Sequence, residues 1–383
     1  MKTTAPILII LSVIAIAFLP ATKAVSPPPD GAYPGGNTAE GQNALLNLTT
    51  GGFNTAVGWL SLRGDMAGAF NTAIGAATLV LNTGNENTAV GVGALLSNGS
   101  GFNNTAIGTL ALFSNSGGYQ NNAFGTAALN HHMTGSYNIA VGGFALFTDQ
   151  TGAQNNAIGD SALFLNVSGG SNTAVGDSAL LASTGNLNTA LGASAGSNVT
   201  SANNVICIGA AGADLDNSCY IGNIYGATID PATATIAAID STGKLGTTAS
   251  ARRFKRDIEP MEKASDAILS LKPVIFHYKS DTKNTPCFGL IAEEVAAVNP
   301  DLVVRDKEGQ PYTVRYDQVN AMLLNEFLKE HHKVEKQDCK LQEQGAMIAR
   351  QQKQIEALIA GLQRVSAQLE LSKAAPQTVL NNQ

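Results

Sequence analysis

The stretch "NTAIGAATLVLNTGNENTAVG", Asn71 to Gly91, decides how most of this chain folds. It opens and closes on the same pattern, Asn-Thr-Ala-aliphatic-Gly. Outward in both directions the pattern returns, ending at Gly41, Gly58, Gly75, Gly91, Gly108, Gly125, Gly142, Gly159, Gly176, Gly192 and Gly209. That is eleven copies at spacings of 17 or 16 residues. Most continue into a small residue and Leu, as at Ala94-Leu95 and Ala128-Leu129, and a Gly such as Gly84 or Gly135 stands three residues before the Asn.

A fixed short period is the mark of a solenoid. A unit this short cannot hold paired helices, whose repeats run above about 30 residues. It suits one coil of two short strands with Gly/Asn turns. Stacking places like on like, so the Val/Ile/Phe position and the Leu position are each expected to form an apolar column, and the Asn position a hydrogen-bond ladder. Eleven coils at about 4.8 Å each rise roughly 50 Å. End repeats should be atypical; Glu40 takes the aliphatic position of the first copy and Gly196 the Leu position of the tenth. Asn37 to Gly209 resembles the head region of trimeric autotransporter adhesins. The resemblance implies a left-handed parallel β-roll that assembles as a trimer. An inert spacer, or ice or carbohydrate binding through the Thr/Asn columns, are the other readings of such a rod.

Charge divides the chain. Between Val25 and Ala249 the basic residues are Arg63 and Lys244, against eleven acidic ones; from Ser250 onward there are 19 Lys/Arg and 18 Asp/Glu. The acidic first part offers nothing to a nucleic-acid backbone. Residues 1–24 read as a secretory signal: Lys2, an apolar run "PILIILSVIAIAFL" closed by Pro20, and a cut expected after Ala24. A retained anchor would need about 20 apolar residues. The mature chain is then expected to be secreted or on a bacterial cell surface, without membrane insertion. Export permits disulfides. Cys207 and Cys219 are near enough in sequence to pair; four unpaired small hydrophobes, with Cys287 and Cys339, are the alternative. No CxxC or His spacing suggests a metal, and no cofactor is implied. His131-His132 and His331-His332 are read as exposed turn and helix residues.

The expected layout is a linker over 25–36, the β-roll over 37–229, a hairpin connector over 230–249, a small α+β domain over 250–333, a coiled coil over 334–372 and a tail over 373–383. In the α+β part the pattern gives a helix over Met261 to Leu271, a strand in "VIFHYK", a helix from about Ile291 to Val298, and a strand that turns into a long helix from about Gln318 to Ser372. From Phe327 a heptad places Phe327, Val334, Leu341, Ile348, Ile355, Leu362 and Leu369 on one seam, with Gln337, Gln344 and Gln351 at d positions. A single helix packed back on its own domain is the alternative.

Ser250, "RRFK" to Lys255, Ile258, "LKPVIFHY", "FGLIAEEV", Pro300 and "YTVRYDQVNAMLLNEF" together resemble the intramolecular chaperone domain of phage tail spikes and endosialidases, peptidase family S74. The resemblance implies a homotrimer whose C-terminal domain helps an upstream β-structured part to fold and then releases itself. The cut would fall between Ala249 and Ser250, with Ser250 as nucleophile and Lys255 as general base. Ala251 departs from the Ser or Asp of many members. The chemistry is coherent: a serine hydroxyl needs a base, and a lysine serves only when its pKa falls toward neutrality, through burial or neighbouring cations such as Arg252, Arg253 and Arg256. A non-cleaving trimer with the domain kept as a clamp, or a phage-tail-fibre-like surface-binding protein, is the alternative. A surface glycan or host-cell ligand for the rod is compatible with the sequence and not specified by it.

Overall fold

The computed structural model describes residues 33–373. The expected signal (1–24), most of the linker and the tail beyond Lys373 lie outside the described residues. The chain divides into two units at Ala234/Thr235.

In the first unit, twelve three-residue strands, β1 (Thr38–Glu40) to β12 (Cys219–Ile221), pair in parallel in chain order. The register is like on like: Thr55 pairs with Thr72, Ala56 with Ala73, Val57 with Ile74. The parallel solenoid of about 11 turns is therefore present, with one correction. Each coil holds one strand, not two. After each strand a glycine swings the backbone away, as at Gly58 (φ +128°), where a Cβ would stand 2.5 Å from the carbonyl oxygen of Gly75 in the next coil. Two corner residues then take left-handed backbone, for example Ala127 (φ 55°) and the buried Leu129 (φ 52°). Such conformations cost roughly 1–2 kcal/mol each for a side-chain-bearing residue. They persist because coil-to-coil hydrogen bonds, such as Leu129 N–H to Ala145 O at 2.9 Å, fix both sides of the corner.

The interior differs from expectation in one column. The strand alanines point inward and are buried, and so are the leucines from Leu62 to Leu180. The Val/Ile/Phe position points outward: Ile74 is 42% exposed and Ile158 43%. Three-residue strands alternate, so Thr and Val share the outer face once Ala takes the inner one. Leucine fills the coil, and the close approach of the strand to it leaves room only for a methyl.

Two polar columns run inside. In the first, Asn54, Asn71 and their successors to Asn188 are buried; each side-chain oxygen accepts the backbone N–H of the next coil, at 2.9 Å from Asn54 to Asn71. The Nδ2 group donates to the glycine carbonyl that precedes the next copy, 2.8 Å from Asn54 to Gly68. The expected ladder exists, but it runs largely through the backbone. The second column holds Asp65, Asn82, Asn98, Asn115, His132, Asp149, Asn166 and Ser183, all fully buried. His132 thus departs from the exposed turn residue expected; His131 beside it is exposed. The final coil is cut short, Ile206 pairing with Cys219. There the carboxylate of Asp214 accepts the N–H groups of Thr200, Ser201 and Ala202 at 2.7–2.9 Å. It takes the place of the carbonyls a full coil would supply, and these donors, led by the Thr200 hydroxyl, hold its carboxyl far below the usual range.

All four cysteines are free. Cys207 takes the inward alanine position and is buried, whereas Cys219 takes the outward position of the next strand and is exposed. The side chains leave opposite faces, so the Cys207–Cys219 bridge is not formed.

The second unit begins with an antiparallel hairpin, β13 (Ala237–Ile239) and β14 (Leu245–Thr247). Asp240 closes its turn by accepting the N–H groups of Thr242 and Lys244. A short 3₁₀ turn (Arg252–Phe254) and a longer 3₁₀ helix (Glu262–Ser270) follow, the latter where an ordinary helix was expected. Then come β15 (Val274–Phe276) paired with β16 (Cys287–Gly289), α1 (Ala292–Val298), β17 (Val303–Arg305) paired with β18 (Pro311–Val314), and α2 (Tyr316–Lys373). A small core of Val295, Leu302, Val303, Val314 and Met322 holds α1, β17, β18 and the start of α2 together. Further along α2 the seam residues Val334, Leu341, Ile348, Ile355, Leu362 and Leu369 are all exposed, so the helix does not fold back on its own unit.

Candidate active site

Ser250 lies three residues after β14, on exposed chain. The 3₁₀ turn that follows is closed by Phe254 N–H to Ala251 O and Lys255 N–H to Arg252 O, both 3.0 Å. Reversing the chain within five residues carries Lys255 back, and its Nζ donates to Ser250 Oγ at 3.3 Å. The two residues singled out from the sequence thus meet through local backbone alone. Two of the three neighbouring cations are otherwise engaged: the Arg253 guanidinium lies over the Phe254 ring at 4.8 Å, and Arg256 faces Asp257 at 3.7 Å. Ser250, Lys255 and Ala249 are all exposed. His277, Glu293 and Glu294 are also exposed, and none bonds to the Ser250–Lys255 pair among the described residues.

A second serine–lysine pair is present that sequence reading missed. Ser265 Oγ, fully buried, lies 3.1 Å from Lys329 Nζ. Asn325 Nδ2 donates to the same oxygen at 2.7 Å, and the Ser265 hydroxyl donates to Glu326 Oε1. Lys329 also donates to Asp266 at 2.7 Å and to Glu326 at 2.5 Å. Hydrogen bonds to Asp266 and Glu326 hold the ammonium above its ordinary range, and the lysine in turn holds both carboxyls below theirs. An ammonium so held cannot take a proton from serine. This cluster fastens the longer 3₁₀ helix to α2. Of the two pairs, only Ser250–Lys255 has a lysine free of carboxylates.

Other motif residues find structural roles. Gly289 stands where a Cβ would meet the Tyr316 hydroxyl at 2.8 Å, and that hydroxyl accepts the Leu290 N–H at 3.0 Å. The glycine of "FGLIAEEV" therefore makes room for the tyrosine of "YTVRYDQV". Asn299 caps the turn at Pro300 by accepting the Asp301 N–H at 3.0 Å.

The segment that begins at this serine has a family. Residues 250–304 match the peptidase S74 family, the chaperone of endosialidase. No curated protein and no solved structure matches the chain. The S74 match opens at Ser250 itself and takes in the Ser250–Lys255 turn, both strands of the β15–β16 pair, α1 and the first residues of β17. An S74 segment behind a β-solenoid fits a tail-fibre-like protein, and the family carries the possibility of self-cleavage.

Proposed function

We propose that this chain is the subunit of an exported, trimeric, tail-fibre-like protein whose S74 unit directs assembly of the solenoid and then cuts itself free between Ala249 and Ser250. The observation that carries this reading is the Nζ–Oγ approach of Lys255 to Ser250 at the first residue of the S74 match.

The cut proceeds in two steps. Neutral Lys255 takes the Ser250 hydroxyl proton, and Oγ attacks the carbonyl carbon of Ala249. As the C–N bond breaks, the proton passes to the Ser250 nitrogen, leaving an Ala249 ester on Ser250 with a free amine. Water then hydrolyses the ester, giving the Ala249 carboxylate and restoring the hydroxyl. Both steps need Lys255 without its proton, and in one chain it stands in solvent. Neighbouring copies that close over the turn would strip water from the ammonium and favour the neutral amine. Cutting is thereby tied to assembly.

Two surfaces of the chain support self-association. Along the solenoid, Val57, Ile74, Ile107, Val141 and Ile158 belong to an outward apolar stripe that starts at the second coil. Along α2 the heptad seam stands open. A contiguous apolar surface of this length marks an interface, and parallel copies in register cover both at once. Three copies follow from the S74 and β-roll resemblances. Helical contacts are local and form quickly, whereas solenoid contacts join residues a full coil apart. The α2 seam therefore assembles first and sets the register in which the solenoid closes.

Ala251 favours a second reading, an uncut clamp, because that position departs from the family pattern. Denaturing gels separate the two. Wild type is expected to yield pieces of about 23 and 14 kDa, from roughly 0.1 kDa per residue, while Ser250→Ala and Lys255→Ala stay whole. A wild type that remains whole after complete folding removes the self-cleavage and leaves the clamp.

A further inference from the structure

Along the second interior column, each amide passes a hydrogen bond back to the coil before it. Asn115 Nδ2 donates to Asn98 at 2.6 Å, Asn98 to Asn82 at 2.7 Å, and Asn82 to the carboxylate of Asp65 at 3.3 Å. The residue before Asp65 in this column is Leu48, which accepts nothing, so the ladder ends on a group with no N–H to satisfy. His132 reverses the direction. Its Nε2 lies 2.7 Å from the carbonyl oxygen of Gly135, which only accepts, so Nε2 carries a hydrogen. Its Nδ1 lies 2.6 Å from Asp149 Oδ2 in the coil that follows. The other oxygen of Asp149 accepts Asn166 Nδ2 at 2.9 Å. One further proton holds the pair together, between Nδ1 and Oδ2. Burial outweighs the hydrogen bond and charge of His132 and leaves the Asp149 carboxyl above its ordinary range, so the carboxyl helps to hold the single proton of the pair. Asparagines at both positions would close the column equally well, as Asn98 and Asn115 do.

We propose that His132 and Asp149 form a proton-responsive joint in the solenoid, strongest while one proton lies between them and weakened when a second is added or that one is removed. A second proton leaves a net positive charge inside the coil. Loss of the first leaves a net negative charge, with a ring lone pair facing a carboxylate. Neither group reaches solvent, so each change buries an unpaired charge. Among the described residues no other titratable group adjoins the pair: Asn115 and Asn166 flank it, with the Gly135 and Gly152 backbones. Asp65 stands four coils from His132, and His131 faces outward against the Phe147 ring.

The sign follows from proton counts. In the unfolded chain the carboxyl titrates near 3.9 and the imidazole near 6.5, by their ordinary values. Between those values the unfolded chain also carries one proton on the two groups, and folding exchanges none. Above about 6.5 the unfolded chain loses the proton that the joint keeps. Below about 3.9 it gains one that the joint refuses. On each side the folding equilibrium falls by up to about tenfold per pH unit.

The test compares urea midpoints of the full chain from pH 3 to 9 with those of the double variant His132→Asn/Asp149→Asn. The wild type is expected to lose stability relative to the variant on both sides of a plateau between about 4 and 6.5. A difference that stays constant with pH overturns the proposal. Should the double variant fail to assemble, ¹⁵N spectra of the wild-type imidazoles decide instead. Of the five histidines, one is expected to show a protonated Nε2 and an Nδ1 that shares a proton with a carboxylate; five imidazoles without such a bond overturn the joint.

Discussion

Replacing Asn172 by Ala removes one rung of the first interior ladder and leaves its neighbours in place. The Asn172 side-chain oxygen accepts the Asn188 N–H at 2.9 Å, and Nδ2 donates to the Gly185 carbonyl at 2.9 Å. Neither backbone group has a second partner among the described hydrogen bonds. The N–H of residue 172 still donates to Asn155 Oδ1, now at 3.0 Å, because it belongs to the main chain. Truncation therefore strands one donor and one acceptor at a fully buried site. Each orphaned group costs about 1–3 kcal/mol, so the loss is about 2–6 kcal/mol per chain. A water drawn into the vacated space would recover part of this and favours the lower end. Asn203→Ala is the matched control. Its oxygen accepts the Asn186 N–H at 2.9 Å, but on the exposed side of the coil, where water substitutes freely. That change should stay within about 0.5 kcal/mol. Urea unfolding followed by far-UV circular dichroism, with the midpoints of both variants against wild type, reads the contrast. Equal, small shifts for the two would refute the view that the buried amides hold the coils together.

Gly289→Ala should destabilise the second unit by about 1–3 kcal/mol, because the new methyl meets the Tyr316 hydroxyl; adding Tyr316→Phe should recover part of the loss, read in the same unfolding assay. Acid should loosen the attachment of α2 to the longer 3₁₀ helix. Asp266 and Glu326 have depressed carboxyls, led in each case by the hydrogen bond from Lys329, so their contribution is complete above about pH 4 and vanishes as pH falls through their lower folded values. Lys329 is raised, led by its bond to Asp266, so its contribution holds below about pH 10 and is lost above. Hydrogen exchange at the 3₁₀ helix against pH checks this, and Lys329→Met should reduce the acid dependence to the part that the Ser265 hydroxyl sustains through Glu326.

The repeat phase made much of the solenoid legible. It set the coil length, the register of like on like, the asparagine ladder and the leucine column. It did not settle which way the strands face, since a three-residue strand alternates equally well with Thr and Val inside. The narrow interior decides for Ala. Elsewhere the phase held information that local reading passed over. Counted against the repeat, His132 falls in the column of Asn115 and Asp149, and aligning "SCYIG" with "VICIG" puts Cys219 and Cys207 on opposite faces of their strands. The "HH" doublet and the short Cys spacing drew attention to neighbours in sequence instead. In the second unit, Ser250 and Lys255 were legible because one short turn joins them. Ser265 and Lys329 were not, since they lie on elements more than sixty residues apart in the chain and no periodicity links them.

The Ser250 hydroxyl is proposed to cut its own chain once the copies have come together. Intact mass and N-terminal sequencing of the products, sampled while wild type assembles, test it most directly. The expected result is a smaller piece beginning Ser250-Ala251-Arg252 that appears only after the oligomer forms. A fully assembled oligomer that keeps its whole mass, or a new terminus at any other residue, would contradict it.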